Sequence, residues 1–225
     1  MSNSISEVLT YAVAVAISPV PIIAVILMLF SARAPVNGPM FLAGWVVAAG
    51  GVSAIAYVLA DAGDATTDST TADTISWGQI AIGAFFLFVA ARQWSSRPAP
   101  GAQPDMPKWM AGIDSFSPGK SFSLALLLAG VNPKNLLLSL GAGAALAKVG
   151  PTTSEAVVAW IVYVVLASIT IAGPVVYYLL GGDRAKATLD EMKEWLATHN
   201  AAVMTVLFLV FGVKFIAEGL PVLGS

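Results

Sequence analysis

The chain has 225 residues, of which 57% are hydrophobic and 11% charged. About 25% charged residues is usual in a soluble domain, so polar surface is too scarce here to coat a water-soluble globule. A net charge of −2 offers no basic face to nucleic acid. The absence of cysteine excludes disulfides, thiolate metal sites and dithiol chemistry, and the single histidine, His199, excludes any site built on two imidazoles.

Six stretches reach the roughly 17–25 apolar residues that a membrane-crossing helix needs. The first, at about 5–31, holds a continuous apolar run from Ala12 to Phe30, interrupted near its middle by Ser18-Pro19-Val20-Pro21. No lysine or arginine precedes Arg33, so the basic region of a cleavable signal is missing. The second stretch, about 39–61, contains Trp45 and the small residues Gly44, Gly50 and Gly51, and leads to Asp61, Asp64, Asp68 and Asp73. The third, about 75–94, ends with Phe86-Leu87-Phe88 and Arg92. Between 95 and 119, Pro98, Pro100, Pro104, Pro107 and Pro118 forbid a continuous helix. Trp109, Met110, Ile113 and Phe116 in this linker are expected in the cytoplasmic headgroup layer.

The fourth stretch, about 120–147, is interrupted at Asn132-Pro133-Lys134-Asn135, and the fifth, about 154–181, carries Trp160. Residues 184–199 place Ala185, Leu189, Met192 and Leu196 at i, i+4, i+7 and i+11, which predicts an amphipathic helix on the membrane or a helical extension of the last span. The sixth stretch, about 200–220, contains Phe208-Leu209-Val210 and Lys214, with Glu218 four residues on as its expected partner. Runs of this length without alternation are helices rather than barrel strands. The expected fold class is therefore all-α: a polytopic membrane protein of six transmembrane helices.

Orientation follows from the basic residues. With the N-terminus outside, the inner segments collect eight of them, from Arg33 through Arg92, Arg97, Lys108 and Lys120 to Arg184, Lys186 and Lys193, and the outer segments only Lys148. Both termini are expected outside. Six spans also divide into two halves of three, which forces opposite orientations. The two proline interruptions lie 114 residues apart, Trp45 and Trp160 lie 115 apart, and the two Phe-Leu motifs follow in the same order. The expected organisation is a first three-helix repeat at 1–94, a cytoplasmic Pro-rich linker at 95–119, and a second, inverted repeat at 120–225, with broken helices one and four.

A mid-helix proline removes a backbone donor and clashes with the preceding turn. Single prolines are ordinary kinks in membrane helices, but paired interruptions in matching places of two inverted halves point to a transport site. Lys134 sharpens this reading, because a lysine at mid-bilayer costs roughly 2.5–3.5 kcal/mol on insertion scales. It needs an aqueous cavity or an anionic partner, and no acid lies centrally in the spans. The half-helix after Pro133 adds free amides and a positive dipole end. The candidate substrate-binding residues are Ser18, Pro19, Pro21, Asn132, Pro133, Lys134 and Asn135, facing an anionic group. No residues suggest catalysis, a metal or a cofactor: no serine has a histidine within reach by sequence logic, and no aspartate pair lies in the membrane.

These motifs, in two three-helix halves, resemble the lysine exporter superfamily of small bacterial carriers. The order of spans, the Pro-rich linker and the Asn-Pro-Lys-Asn-Leu stretch look most like the actinobacterial GAP/Sap group, the glycopeptidolipid- and sulfolipid-addressing proteins. The resemblance implies movement of cell-envelope glycolipids, or a related amphiphile, across the bacterial cytoplasmic membrane. On residues alone, export of a small amino-acid-like metabolite, or a non-transporting anchor of a lipid-export assembly, is also open. The expected partners are membrane lipids and a lipid-like or small anionic substrate, and a homo-oligomer is compatible with the chain.

Overall fold

A computed structural model of the chain describes residues 2–64, 69–97 and 108–220. Asp68 and the linker prolines from Pro98 to Pro107 lie outside the described residues. Among those described, all regular structure is helical: α1 (Ser2–Ala16), α2 (Pro19–Phe30), α3 (Ala34–Asp64), α4 (Ser69–Ser95), α5 (Pro118–Gly130), α6 (Pro133–Lys148), α7 (Thr153–Gly181) and α8 (Ala185–Gly219), with 3₁₀ segments at Lys108–Ser115 and Gly182–Arg184.

Three helices are individually long and apolar enough to cross a membrane, over Ala34–Ala62, Thr153–Gly181 and Ala185–Gly219. The pairs α1–α2 and α5–α6 also qualify if each counts as one span, bent by 56° and 66°. This is the composition and helical content of a membrane protein, with three to five candidate spans. Helix α4 covers the stretch expected as the third span.

Local sequence explains where helices break. Pro19 and Pro133 occupy the first helical position, where the missing N–H costs nothing and the fixed φ suits helix entry. Pro39 and Pro174, by contrast, lie within uninterrupted helices. Proline alone therefore does not end a helix here; a polar residue in the N-cap position precedes it at both breaks, Asn132 with a side-chain cap and Ser18 without one. Helix α7 begins with a reciprocal capping box between Thr152 and Glu155 and ends at Gly182, whose φ of 54° suits a residue without Cβ.

The described residues group into two compact units. In the first (Met1–Ala62 with Asp105–Ala197), α1 packs against α7 and α6, and α2 against α7, α5 and the Lys108–Ser115 segment. Helix α3 lies against α5, α6 and α7. A Cβ on Gly44 would stand 2.4 Å from the Phe122 carbonyl oxygen, and one on Gly143 would stand 2.2 Å from that of Ser53, so both crossings require glycine. Trp45 Nε1 donates to the Ala167 carbonyl on α7, and Trp160 Nε1 donates back to the Gly50 carbonyl on α3, each at 3.1 Å.

Met110 and Ile113 are buried on the segment that packs against α2, and Asn37 Nδ2 holds its end by donating to the Phe116 carbonyl at 3.0 Å. The amphipathic stretch at 184–199 is continuous with the last helix. It forms the opening turns of α8, with Ala185, Leu189 and Leu196 buried and Lys193 over the Phe30 ring at 5.5 Å.

In the second unit (Gly63–Pro104 with Thr198–Ser225), α4 and the later part of α8 run antiparallel in close contact. Gly83 faces the Gly212 backbone, Gly219 faces Ser76 and Ile80, and Phe86 meets Phe208 and Phe215 edge-on at 5.3 and 5.8 Å. Lys214 pairs with Glu218 as the spacing predicts, and Gln79 Nε2 donates to the same carboxylate at 3.3 Å.

Candidate functional site

Breaking a helix in a dry environment frees backbone carbonyls that need new donors. At the first break, the Ala16 carbonyl accepts from Thr170 Oγ1 on α7 at 2.6 Å and from the Ser18 amide at 2.9 Å. The Ile17 carbonyl accepts from Lys134 Nζ at 2.8 Å. At the second break, the Leu127 carbonyl accepts from the Val131 and Asn132 amides, and the Leu128 carbonyl from Asn135 Nδ2 at 2.8 Å. Asn132 caps α6, its Oδ1 accepting from the Lys134 amide at 3.1 Å.

The two breaks meet through three side chains. Lys134 Nζ donates to Ser18 Oγ at 2.8 Å, and Ser18 Oγ lies 2.9 Å from Asn135 Oδ1 and 2.7 Å from the Val15 carbonyl. A hydroxyl carries one hydrogen, so Ser18 accepts from the amine and donates to only one of those two oxygens at a time. Ser18, Lys134 and Asn135 are 3%, 4% and 1% exposed, whereas Ile17 and Val131 on the rim are 39% and 62% exposed. Of the remaining predicted residues, Pro19 and Pro21 are buried, Asn132 is half-buried and Pro133 is exposed.

The amine reaches back to the carbonyl end of α1, the negative end of that helix's dipole. Among the described residues no carboxylate stands within 4.0 Å of it. An ammonium group has three N–H bonds; two are used by Ile17 and Ser18, and the third has no protein partner among the described residues. The arrangement therefore places one amine donor, framed by a hydroxyl and an amide, between two helix breaks.

Two contributors escaped the sequence reading. Thr170 acts on the Ala16 carbonyl from 154 positions away, and Tyr163 donates to Ser139 Oγ at 2.8 Å, one helical turn beyond Asn135. The available signal was a hydroxyl inside an apolar span, which marks many residues that merely bond their own helix.

No curated protein and no solved structure matches the chain. A family model described as Sap, sulfolipid-1-addressing protein, matches residues 8–221, nearly the whole chain and both proline breaks. The family's description concerns the addressing of a lipid, which accords with the apolar helices and the buried polar junction. On that match, the chain belongs to the Sap, sulfolipid-1-addressing protein, family.

Proposed function

We propose that this protein is a six-span lipid carrier of the bacterial cytoplasmic membrane, with both termini outside. It moves an amphiphilic anionic or zwitterionic substrate, a cell-envelope glycolipid or related lipid, outward by alternating access. Two inverted three-helix repeats form it, as in the wider lysine exporter superfamily that its motifs resemble. Reciprocity among the helix contacts supports the repeat. In a two-fold arrangement, a contact between one pair of elements is answered by a contact between their equivalents. Contacts of α1 with α7, α1 with α6 and α2 with α7 are answered by α5 with α3, α5 with α2 and α6 with α3. The matched tryptophans bond each other's helices, and the matched phenylalanines Phe86 and Phe208 touch.

The observation that carries the function is the meeting of the two chain breaks through Lys134, a buried cation with one uncommitted N–H. In this reading the substrate's anionic head group takes that N–H, with hydrogen bonds from Ser18, Asn132 and Asn135. Pro19, Pro21 and Pro133 keep the helices open. The test is transbilayer movement of a tail-labelled anionic phospholipid in liposomes containing the purified protein. The wild type should accelerate movement, and Lys134→Met, which keeps the apolar stem, should slow it at least about tenfold, the loss of roughly 1.4 kcal/mol of binding. Wild-type rates in that variant would sink the assignment.

A second reading is favoured by one feature of the same geometry. Two of the three amine hydrogens are already spent on Ile17 and Ser18, which makes Lys134 a tie between two helix ends. A non-transporting membrane anchor of a lipid-export assembly needs such a tie and no more. Liposomes of this protein would then show no lipid movement at all.

A further inference from the structure

A groove of about 220 Å³ opens between α3, α6 and α7, all within the first unit. Ala54, Tyr57 and Val58 come from α3, Leu146 from α6, and Ala156, Val157 and Trp160 from α7. Its surface is apolar, and the Trp160 N–H is turned inward onto Gly50, so the indole asks nothing of an occupant. Val58 and Val157 are 61% and 51% exposed, which places the mouth on the outward side of these helices. Tyr57 and Trp160 near the ends of their helices are the residue types that gather at a membrane interface.

The inner end of the groove leads toward the polar junction. A smaller void shares Leu146 and Trp160 with the groove and touches Ser53, Gly143 and Tyr163. Asn135, Ser139, Ala142 and Leu146 follow at i, i+4, i+7 and i+11, all buried, so one face of α6 joins the Lys134 cluster to the groove. Eleven residues of helix span roughly 16 Å, the scale of a lipid tail. The residues in the matching places of the other half differ. Trp45, which answers Trp160, is fully buried, and 115 positions beyond Tyr57 the chain has Ala172.

We propose that this groove holds an acyl chain of the transported lipid while the head group engages Lys134. The proposal rests on the carrier reading and adds the tail's position to it. In a bilayer the medium pressed against an outward apolar groove is hydrocarbon, so an acyl chain is the occupant its lining suits. The Tyr163–Ser139 bond stands between tail and head-group sites and closes the route in this conformation.

The experiment uses the full-length protein in liposomes containing a phospholipid with a diazirine near the end of one acyl chain. After photolysis, adducts are mapped by mass spectrometry. Labelling should concentrate on the peptides carrying Tyr57, Leu146 and Trp160, and Ala156→Phe, which fills the groove, should lower it at least about tenfold. Even labelling around all lipid-facing helices, unchanged by Ala156→Phe, would overturn the proposal. The transport assay separates the two ideas. Groove labelling without lipid movement keeps the chain site and sinks the carrier, whereas movement without groove labelling keeps the carrier and sinks the chain site.

Discussion

Ser18 bears more of the junction than its size suggests, because among the described residues its side chain alone meets both the Lys134 amine and the Asn135 amide. Ser18→Ala leaves the buried amine with a single acceptor and removes the hydroxyl that Asn135 Oδ1 and the Val15 carbonyl share. Leaving a buried polar group unsatisfied costs about 1–3 kcal/mol, and the unfolding free energy in mild detergent should fall by that amount. Thr170→Val also removes a donor to the first break, but the Ala16 carbonyl keeps the Ser18 amide. Its loss should stay below about 1 kcal/mol, the net worth of one replaceable hydrogen bond. Equal losses in the two variants would mean that the junction is held by packing and not by this network. The sequence marked Ser18, Lys134 and Asn135 as candidates because polar groups at membrane depth need a reason. It did not reveal which way the amine points. A lysine stem reaches any of several carbonyls, and the choice of Ile17, 117 positions away, is made by how the two breaks pack.

At the scale of helices, glycine decides which elements touch. A Cβ on Gly143 would stand 2.2 Å from the Ser53 carbonyl and 2.7 Å from the Tyr57 amide, both backbone atoms that cannot swing aside. Gly143→Ala should therefore push α6 away from α3 and cost about 1–3 kcal/mol, the usual price of overpacking. Gly51, on α3, has nothing within 4 Å of a Cβ. Gly51→Ala should be neutral or stabilising by up to about 1 kcal/mol from helix propensity. Thermal unfolding of the two variants in the same detergent separates them, and a destabilised Gly51→Ala beside a tolerated Gly143→Ala would contradict the packing described. The breaks at Ser18 and Asn132 were legible because proline after a polar residue in the N-cap position writes a helix start into the chain. The continuity of α7 through Pro174 was legible too, in an apolar run over 154–181, but the start of α3 at Ala34, ahead of Pro39, was not. The burial of Met110 and Ile113 was hidden as well: an apolar side chain does not say whether lipid or protein will cover it.

For the whole molecule, the strongest remaining expectation is orientation, which comes from charge alone. Eight basic residues fall on one side of the proposed spans and one on the other. Lysine and arginine resist translocation across an energised membrane, and this bias sets topology when it is counted over short loops. The chain has no cysteine, so single cysteines can be introduced without a background thiol. Asp61, Ser96 and Arg184 are all exposed, and replacing them one at a time samples the second, third and fifth of the proposed loops. In intact cells, a membrane-impermeant maleimide should label Asp61→Cys at once and leave Ser96→Cys and Arg184→Cys untouched until the membrane is opened. The reverse pattern would place the termini inside. Labelling of Ser96→Cys and Arg184→Cys on opposite sides would do more damage. Two spans, the fourth and the fifth, separate these positions in the six-span reading and return the chain to the same face, yet that path needs α5 and α6 to cross together as one broken helix. Ser96 leads into the linker before α5, and Arg184 follows α7, so a re-entrant α5–α6 pair leaves only α7 to cross between them and puts the two positions on opposite sides. One labelling pair thus decides whether the second break is a bent span, as an inverted repeat requires, or a loop that dips in and returns.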